Sequence, residues 1–169
     1  MKALISVYNK DRIAEFAKVL NELGIEIIAT EGTAQELLTS GIRVTKVSEF
    51  TGLQEMLNGR IKTLHPRIHA EITTGEIGIV AVNLISFDTT RADPLARMDL
   101  GGVAMLRSGI KNFEHAAVIV NPSSYNATLE ELKKDGELSH GTKLDLAREA
   151  SQYIVAYDSK IDMVLKRMK

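Results

Sequence analysis

Residues 3–30 read ALISVYNKDRIAEFAKVLNELGIEIIAT. Ala3 to Val7 is an apolar run of strand length. From Asp11 the apolar residues Ile13, Phe16, Ala17, Leu20 and Leu23 recur at helical spacing until Gly24 stops them. Ile25 to Ala29 is a second apolar run, and the stretch therefore predicts strand, helix and buried strand. Two parallel strands need such a crossover between them, so this is the opening unit of a sheet wrapped by helices.

The alternation continues outward. Gly32-Thr33 opens a second helix through Ala34, Leu37 and Leu38 to Ser40-Gly41, followed by a short strand over Val44 to Val47. Ile77 to Leu84 and Ala116 to Val120 read as two more strands, separated by a helix from Leu100 to Asn112 through Val103, Leu106 and Ile110. Pro122 and Ser123 begin a helix carrying Tyr125, Leu129 and Leu132. From Ser139 the C-terminal stretch places Leu144, Ala147, Ala150, Tyr153, Ile154, Tyr157 and Ile161 on one helical face. The expectation is an α/β fold, a single domain over residues 1–169, with about five parallel strands in three α/β/α layers.

Composition agrees with a globular protein. Hydrophobic residues are 44% and charged residues 25% of the 169, enough apolar side chain for a core. Twenty-one Lys plus Arg against 22 Asp plus Glu leave a net charge of -1, which argues against a protein that coats a nucleic acid polymer or an anionic membrane. Cysteine is absent, which excludes disulfides, thiolate nucleophiles and cysteine-ligated metal. The longest apolar runs are far below the roughly 20 residues of a membrane helix, and Met1-Lys2 runs into a strand rather than an export signal. A cytoplasmic protein is expected.

Two segments, Thr51 to Ile72 and Ser86 to Asp99, follow neither period. In an open parallel sheet ligands sit outside the carboxyl ends of the strands, so these segments and the strand–helix turns are where chemistry is to be sought. Ser6, Tyr8, Asn9 and Lys10 form one such turn, and Thr30, Glu31, Gly32 and Thr33 form another. Side by side after adjacent strands, hydroxyls, a lysine and two helix N-termini compose a phosphate pocket; two ordinary helix caps are the alternative.

Residues 59–67 gather Arg60, Lys62, Thr63, His65 and Arg67 around Pro66, with a guanidinium fork for phosphate or carboxylate and an amine whose pKa shifts on burial. His65 and His69 are four apart, but Pro66 and the missing Glu argue for a structural His69 rather than a metal pair. Asp99-Leu100-Gly101-Gly102 with Lys111 could be a turn and helix alone, or an acid–base pair folded over a ligand. No phosphate-loop, dinucleotide-binding or serine nucleophile-elbow pattern is present.

Ser6 to Lys10, Thr30 to Ala34, Gly59 to Pro66, Val82-Asn83-Leu84 with Phe87, Asp99 to Gly102, Lys111-Asn112 and Tyr157-Asp158 recur in an order that resembles the inosine monophosphate (IMP) cyclohydrolase domain of the bifunctional purine-synthesis protein. The resemblance implies a methylglyoxal-synthase-like, Rossmann-like fold. It implies dehydrative ring closure of 5-formamidoimidazole-4-carboxamide ribotide (FAICAR) to IMP, with no cofactor or metal. It assigns Lys62, Asp99 and Lys111 to catalysis. Ser6, Tyr8, Asn9, Lys10, Thr30 to Thr33 and Arg60 would hold phosphate and ribose; Ile61, Thr63, Val82, Asn83, Leu100 and Gly101 would line the rest of the substrate site. A homodimer is implied too.

This sequence departs from that pattern in four ways. Ile85 and Ser86 stand where the family usually has tyrosine and proline, and Glu31 replaces a glycine. Ala70-Glu71 replaces a diglycine, in front of a shortened segment over Ile72 to Gly78. No formyltransferase domain follows, so a separate enzyme would supply the formylated substrate. The competing reading is a non-catalytic nucleotide- or phosphate-binding regulatory domain of the same fold, with methylglyoxal synthase as a third.

Overall fold

Lys2–Val7 forms β1, in which Ala3, Leu4 and Ile5 are wholly buried, so both faces of the strand meet apolar side chains. The computed structural model describes residues 1–54, 63–90 and 93–168. After β1 come α1 (Ile13–Glu22), β2 (Glu26–Ala29), α2 (Glu31–Thr39), β3 (Thr45–Lys46) and α3 (Val47–Thr51). Then follow α4 (Pro66–Thr74), β4 (Ile77–Asn83), α5 (Leu100–Lys111), β5 (Ala117–Ile119), α6 (Tyr125–Asp135) and α7 (His140–Arg167). Short 3-10 turns occupy Leu95–Arg97 and Pro122–Ser124.

The five strands make one parallel sheet in the order β3-β2-β1-β4-β5. Alternation along β1 sends Ala3, Ile5 and Val7 to one face, covered by α1, α2 and α6. Leu4 goes to the other, covered by α3, α4, α5 and α7. The chain builds outward from β1 to β3 and then returns to the far side of β1 with β4. That reversal opens a crevice at the carboxyl ends of β1 and β4, where no crossover packs over it.

The expected α/β/α layers and five parallel strands are present, and three local expectations are corrected. Residues 66–72, expected to be irregular, belong to helix α4. Pro66 stands at its first position, where a missing N–H costs nothing, and His65 Nδ1 caps it by accepting the Arg67 N–H at 3.2 Å. Val47 starts α3 instead of ending the third strand. The helix expected from Pro122 begins as a 3-10 turn and becomes α-helical at Tyr125.

Glu71 ties α4 to the start of β1. Its carboxylate meets Lys2 Nζ at 2.7 Å and Arg67 Nε at 2.9 Å, while the Arg67 guanidinium lies 4.0 Å over the Phe50 ring. Desolvation pushes the Glu71 carboxyl up, but the hydrogen bonds from Lys2 and Arg67 reverse it and hold it below its ordinary value.

Candidate active site

The turns after β1 and β2 lie side by side, because the two strands pair directly. Hydroxyls join them. The Thr30 N–H donates to the Ile5 carbonyl at 3.2 Å, Thr30 Oγ1 donates to Ser6 Oγ at 3.3 Å, and Thr33 Oγ1 accepts the Val7 N–H at 3.2 Å. Thr30 and Thr33 are buried, so these bonds are shielded from water. Thr30 stands at the N-cap of α2, where its carbonyl takes the Thr33 and Ala34 amides at 2.8 and 2.7 Å, and the start of the helix presents a partial positive charge. Lys10 Nζ, donating to the Val7 carbonyl at 3.0 Å, adds a full one. The cradle suits an anion.

Asn83, at the end of β4, anchors the first turn. Its Oδ1 accepts the Tyr8 and Asn9 amides at 2.7 and 2.8 Å, and its Nδ2 donates to the Asn9 carbonyl at 2.9 Å. Asp99 caps α5. Oδ1 accepts the Gly102 N–H at 2.7 Å and Oδ2 the Ile85 N–H at 3.2 Å. Two amides thus hold the carboxylate, and each oxygen keeps a lone pair for a further partner.

The diglycine is steric. A Cβ on Gly101 would strike Thr63 Oγ1, and one on Gly102 would meet Leu84 Cδ2 at 2.6 Å and Asp99 Oδ2 at 2.8 Å. Glycine lets the helix start close against both. Behind Thr63, His69 accepts a structural role: its Nδ1 lies 2.7 Å from Ser108 Oγ, and burial lowers its pKa against a hydrogen bond to the Thr63 backbone that raises it.

These groups surround a cleft of about 450 Å³. Of the residues expected to bind, Ser6, Tyr8, Lys10, Thr30, Gly32 and Thr33 line one side of it, and Thr63, Asn83, Asp99, Leu100 and Gly101 line the other. A second cleft of about 650 Å³ continues past Tyr8, Asn83 and Ile85 toward α7, and Asn9 belongs to that one.

Other expected residues stand elsewhere. Val82 is buried in the core on the α5 side of the sheet, so its side chain cannot line the cleft. Glu31 turns from the cradle, because its Oε1 accepts the Ser48 N–H at 3.2 Å at the start of α3. Among the described residues its Oε2 is buried with no hydrogen-bond partner. Lys111 ends α5, whose 12 residues rise about 16 Å, so within one chain it does not meet Asp99. Arg60, Ile61 and Lys62 lie outside the described residues.

Sequence reasoning missed Arg97 and Met98, which also line the cleft. The Arg97 guanidinium lies 6.0 Å from the centre of the Tyr8 ring and adds a cation to the anion site. It is presented by a 3-10 turn without hydrophobic period, and its only signal was a positive charge just before Asp99. Ile85, noted as a departure, places an apolar side chain at the junction of the two clefts.

Among the described residues, no three His, Asp or Glu side chains are grouped to hold a metal ion, and no helix is long and apolar enough to cross a membrane.

Comparison with known proteins agrees with this architecture. The MGS-like domain model matches residues 12–101, and the AICARFT/IMPCHase bienzyme model matches residues 109–169. The chain is 40% identical, over 95% of its length, to the bifunctional purine biosynthesis protein PurH of Caldicellulosiruptor saccharolyticus. It is 40% identical, over 97% of its length, to that of Bacillus cytotoxicus. It spans 36% and 37% of those two proteins' lengths. A solved chain described as the crystal structure of ForH superposes with a TM-score of 0.88 at 29% identity, covering 98% of this chain and 97% of that one.

Proposed function

This chain belongs to the MGS-like domain family, and on that premise we propose that it is an IMP cyclohydrolase, closing the imidazole carboxamide ribotide FAICAR to IMP with loss of water. The observation that carries the reading is one cleft holding both an anion cradle, from Ser6, Tyr8, Lys10, Thr30, Gly32 and Thr33, and a fixed carboxylate, Asp99. A nucleoside monophosphate has its phosphate at one end and its reacting base at the other, as this cleft requires. The match to the AICARFT/IMPCHase bienzyme model and the PurH relatives supports the same substrate class.

The residue types suit the steps. The carboxamide nitrogen forms a bond to the formyl carbon and gives up a proton, for which Asp99 offers its remaining lone pairs. The former formyl oxygen becomes a tetrahedral oxyanion that a cation must stabilise, the role proposed for Lys62. That oxygen then takes the proton given up by the carboxamide nitrogen and a second from the formamido nitrogen, and leaves as water as the double bond forms between the former formyl carbon and the formamido nitrogen. Because both reacting groups belong to one molecule, holding them in a near-attack pose supplies much of the rate. Arg97 joins the anion site and Thr63 the base side of the cleft, the resemblance assigns Arg60 and Ile61 to the same two roles, and two such chains form a homodimer.

The test is direct: purified protein, FAICAR without added metal, and chromatographic detection of IMP. Formation of IMP with saturation kinetics supports the cyclohydrolase. Saturable nucleotide binding without product favours the non-catalytic binding domain, a reading to which the apolar Ile85 beside Asp99 lends weight. Release of inorganic phosphate from dihydroxyacetone phosphate would mark methylglyoxal synthase instead.

A further inference from the structure

Two phenols on α7 reach the two chain segments that flank the cleft. Tyr153 Oη accepts the Leu84 N–H at 3.0 Å, and Tyr157 Oη accepts the Asp99 N–H at 2.8 Å. Asp99 Oδ2 closes the circuit by accepting the Ile85 N–H at 3.2 Å. Leu84 and Ile85 follow β4, while Asp99 precedes α5, so the circuit joins the segment that leaves β4 to the segment that enters α5. Side chains four apart project from one helix face about 6 Å apart, and α7 imposes that spacing on the two main-chain groups.

Packing alone does not call for these hydroxyls. Ala150 and Ile154, on the same face of α7, fill the core with hydrocarbon only, and Tyr157 meets Phe87 edge-on with ring centres 5.8 Å apart. Phenylalanine would supply that contact equally well. What the hydroxyls add is an acceptor for two part-buried main-chain amides just outside β4 and α5. The α5 cap by itself orients one oxygen of Asp99. The second oxygen is set by the Ile85 amide, whose place follows from Leu84 and therefore from Tyr153.

We infer that Tyr153 and Tyr157 are positioning residues of this site, a two-phenol clamp that sets where the Asp99 carboxylate stands relative to the end of β4. Neither phenol needs to touch the substrate. The inference rests on the reading of Asp99 as the group that takes the proton, and it makes the C-terminal helix part of the site rather than a cover for the sheet.

The test compares Tyr153→Phe, Tyr157→Phe and their double variant with wild type. Tyr125→Phe is the control, a buried phenol on the opposite face of the sheet stacked on Phe16. Two readouts are taken: kcat and KM with FAICAR, and residue-resolved hydrogen exchange at Ile85 and Gly102, the amides that report the carboxylate. The clamp predicts a kcat loss of about tenfold in each single variant with KM within about twofold. It also predicts exchange at both amides faster by about tenfold. The control should change neither.

Unchanged exchange at Ile85 and Gly102 together with kcat within about twofold of wild type would overturn the clamp, whatever happened to Tm. Should Tyr157→Phe fail to fold, Tyr153→Phe carries the same test through Leu84. If wild type binds nucleotide but forms no IMP, the proposed activity fails, and exchange at the two amides alone decides the clamp.

Discussion

Asn83 and Asn9 exchange two hydrogen bonds: the Asn83 Nδ2 donates to the Asn9 carbonyl at 2.9 Å, and the Asn9 N–H donates to the Asn83 Oδ1 at 2.8 Å. The carboxamide offers donor and acceptor from one planar group, and aspartate lacks the donor. Asn83→Asp would leave the Asn9 carbonyl facing a carboxylate and loosen the turn that carries Tyr8 and Lys10. Affinity for IMP should fall by at least about tenfold, near 1.4 kcal/mol. Calorimetric titration checks it, and an unchanged Kd would separate the turn from the pocket.

Lys62→Ala and Asp99→Asn should each lower turnover of FAICAR by at least about tenfold, roughly 1.4 kcal/mol of barrier. Lys111→Ala is the contrast, because the length of α5 holds that amine away from Asp99. Its turnover should stay within about threefold, under roughly 0.7 kcal/mol. A larger loss in steady-state assays would show that Lys111 serves the cleft of a second copy.

The diglycine offers a steric test. Gly102→Ala drives a methyl against Leu84 and the Asp99 carboxylate, and should cost about 1–3 kcal/mol of stability as an overpacked contact. Because the carboxylate must shift, kcat should fall as well. Urea unfolding and steady-state kinetics read the two effects, and retention of both would mean that α5 backs away freely.

Protonation of Glu71 should loosen α4. Its folded pKa lies below the ordinary value of 4.5, so its stabilising contribution is present above that value and is lost as pH falls through the folded pKa. Lys2 is the mirror case. Its pKa is raised above 10.5, chiefly by the Glu71 hydrogen bond, so that contribution is full below 10.5 and fades as pH rises beyond it. Glu71→Gln should cost about 2 kcal/mol at neutral pH, since Glu71 is mostly buried while Arg67 is half exposed. The gap in Tm between wild type and variant should close on acidification below pH 4.5. A gap independent of pH would assign the loss to packing.

Much of the architecture was legible because β1, α1, β2 and α2 carry clean periods bounded by Gly24 and Gly41. What escaped was short or capped in an uncommon way. Pro66 looked like an interruption and is the first residue of α4. At five residues, α3 is too short to show a helical period. In the site, the paired turns were readable from residue type, but Arg97 sits on a turn with no pattern. Tyr153 read only as the apolar face of a helix, and Tyr157 as that face and as part of a recurring motif with no role attached, since periodicity is blind to where a hydroxyl ends. The pairing of Asp99 with Lys111 followed from motif order, whereas helical rise, available from the same residues, keeps them apart.

The strand order has a consequence for how such a protein can change. Since the crevice arises from the direction in which β1 and β4 lead the chain, the strands that create it need not supply the chemistry. Residues 84–99 join β4 to α5 as a single replaceable cassette, pinned at one end by Leu84 and at the other by Asp99. A lineage could exchange the interior of that cassette, Ile85 and Arg97 included, and so alter what the cleft accepts, while inheriting the scaffold, Asp99 and the turns after β1 and β2.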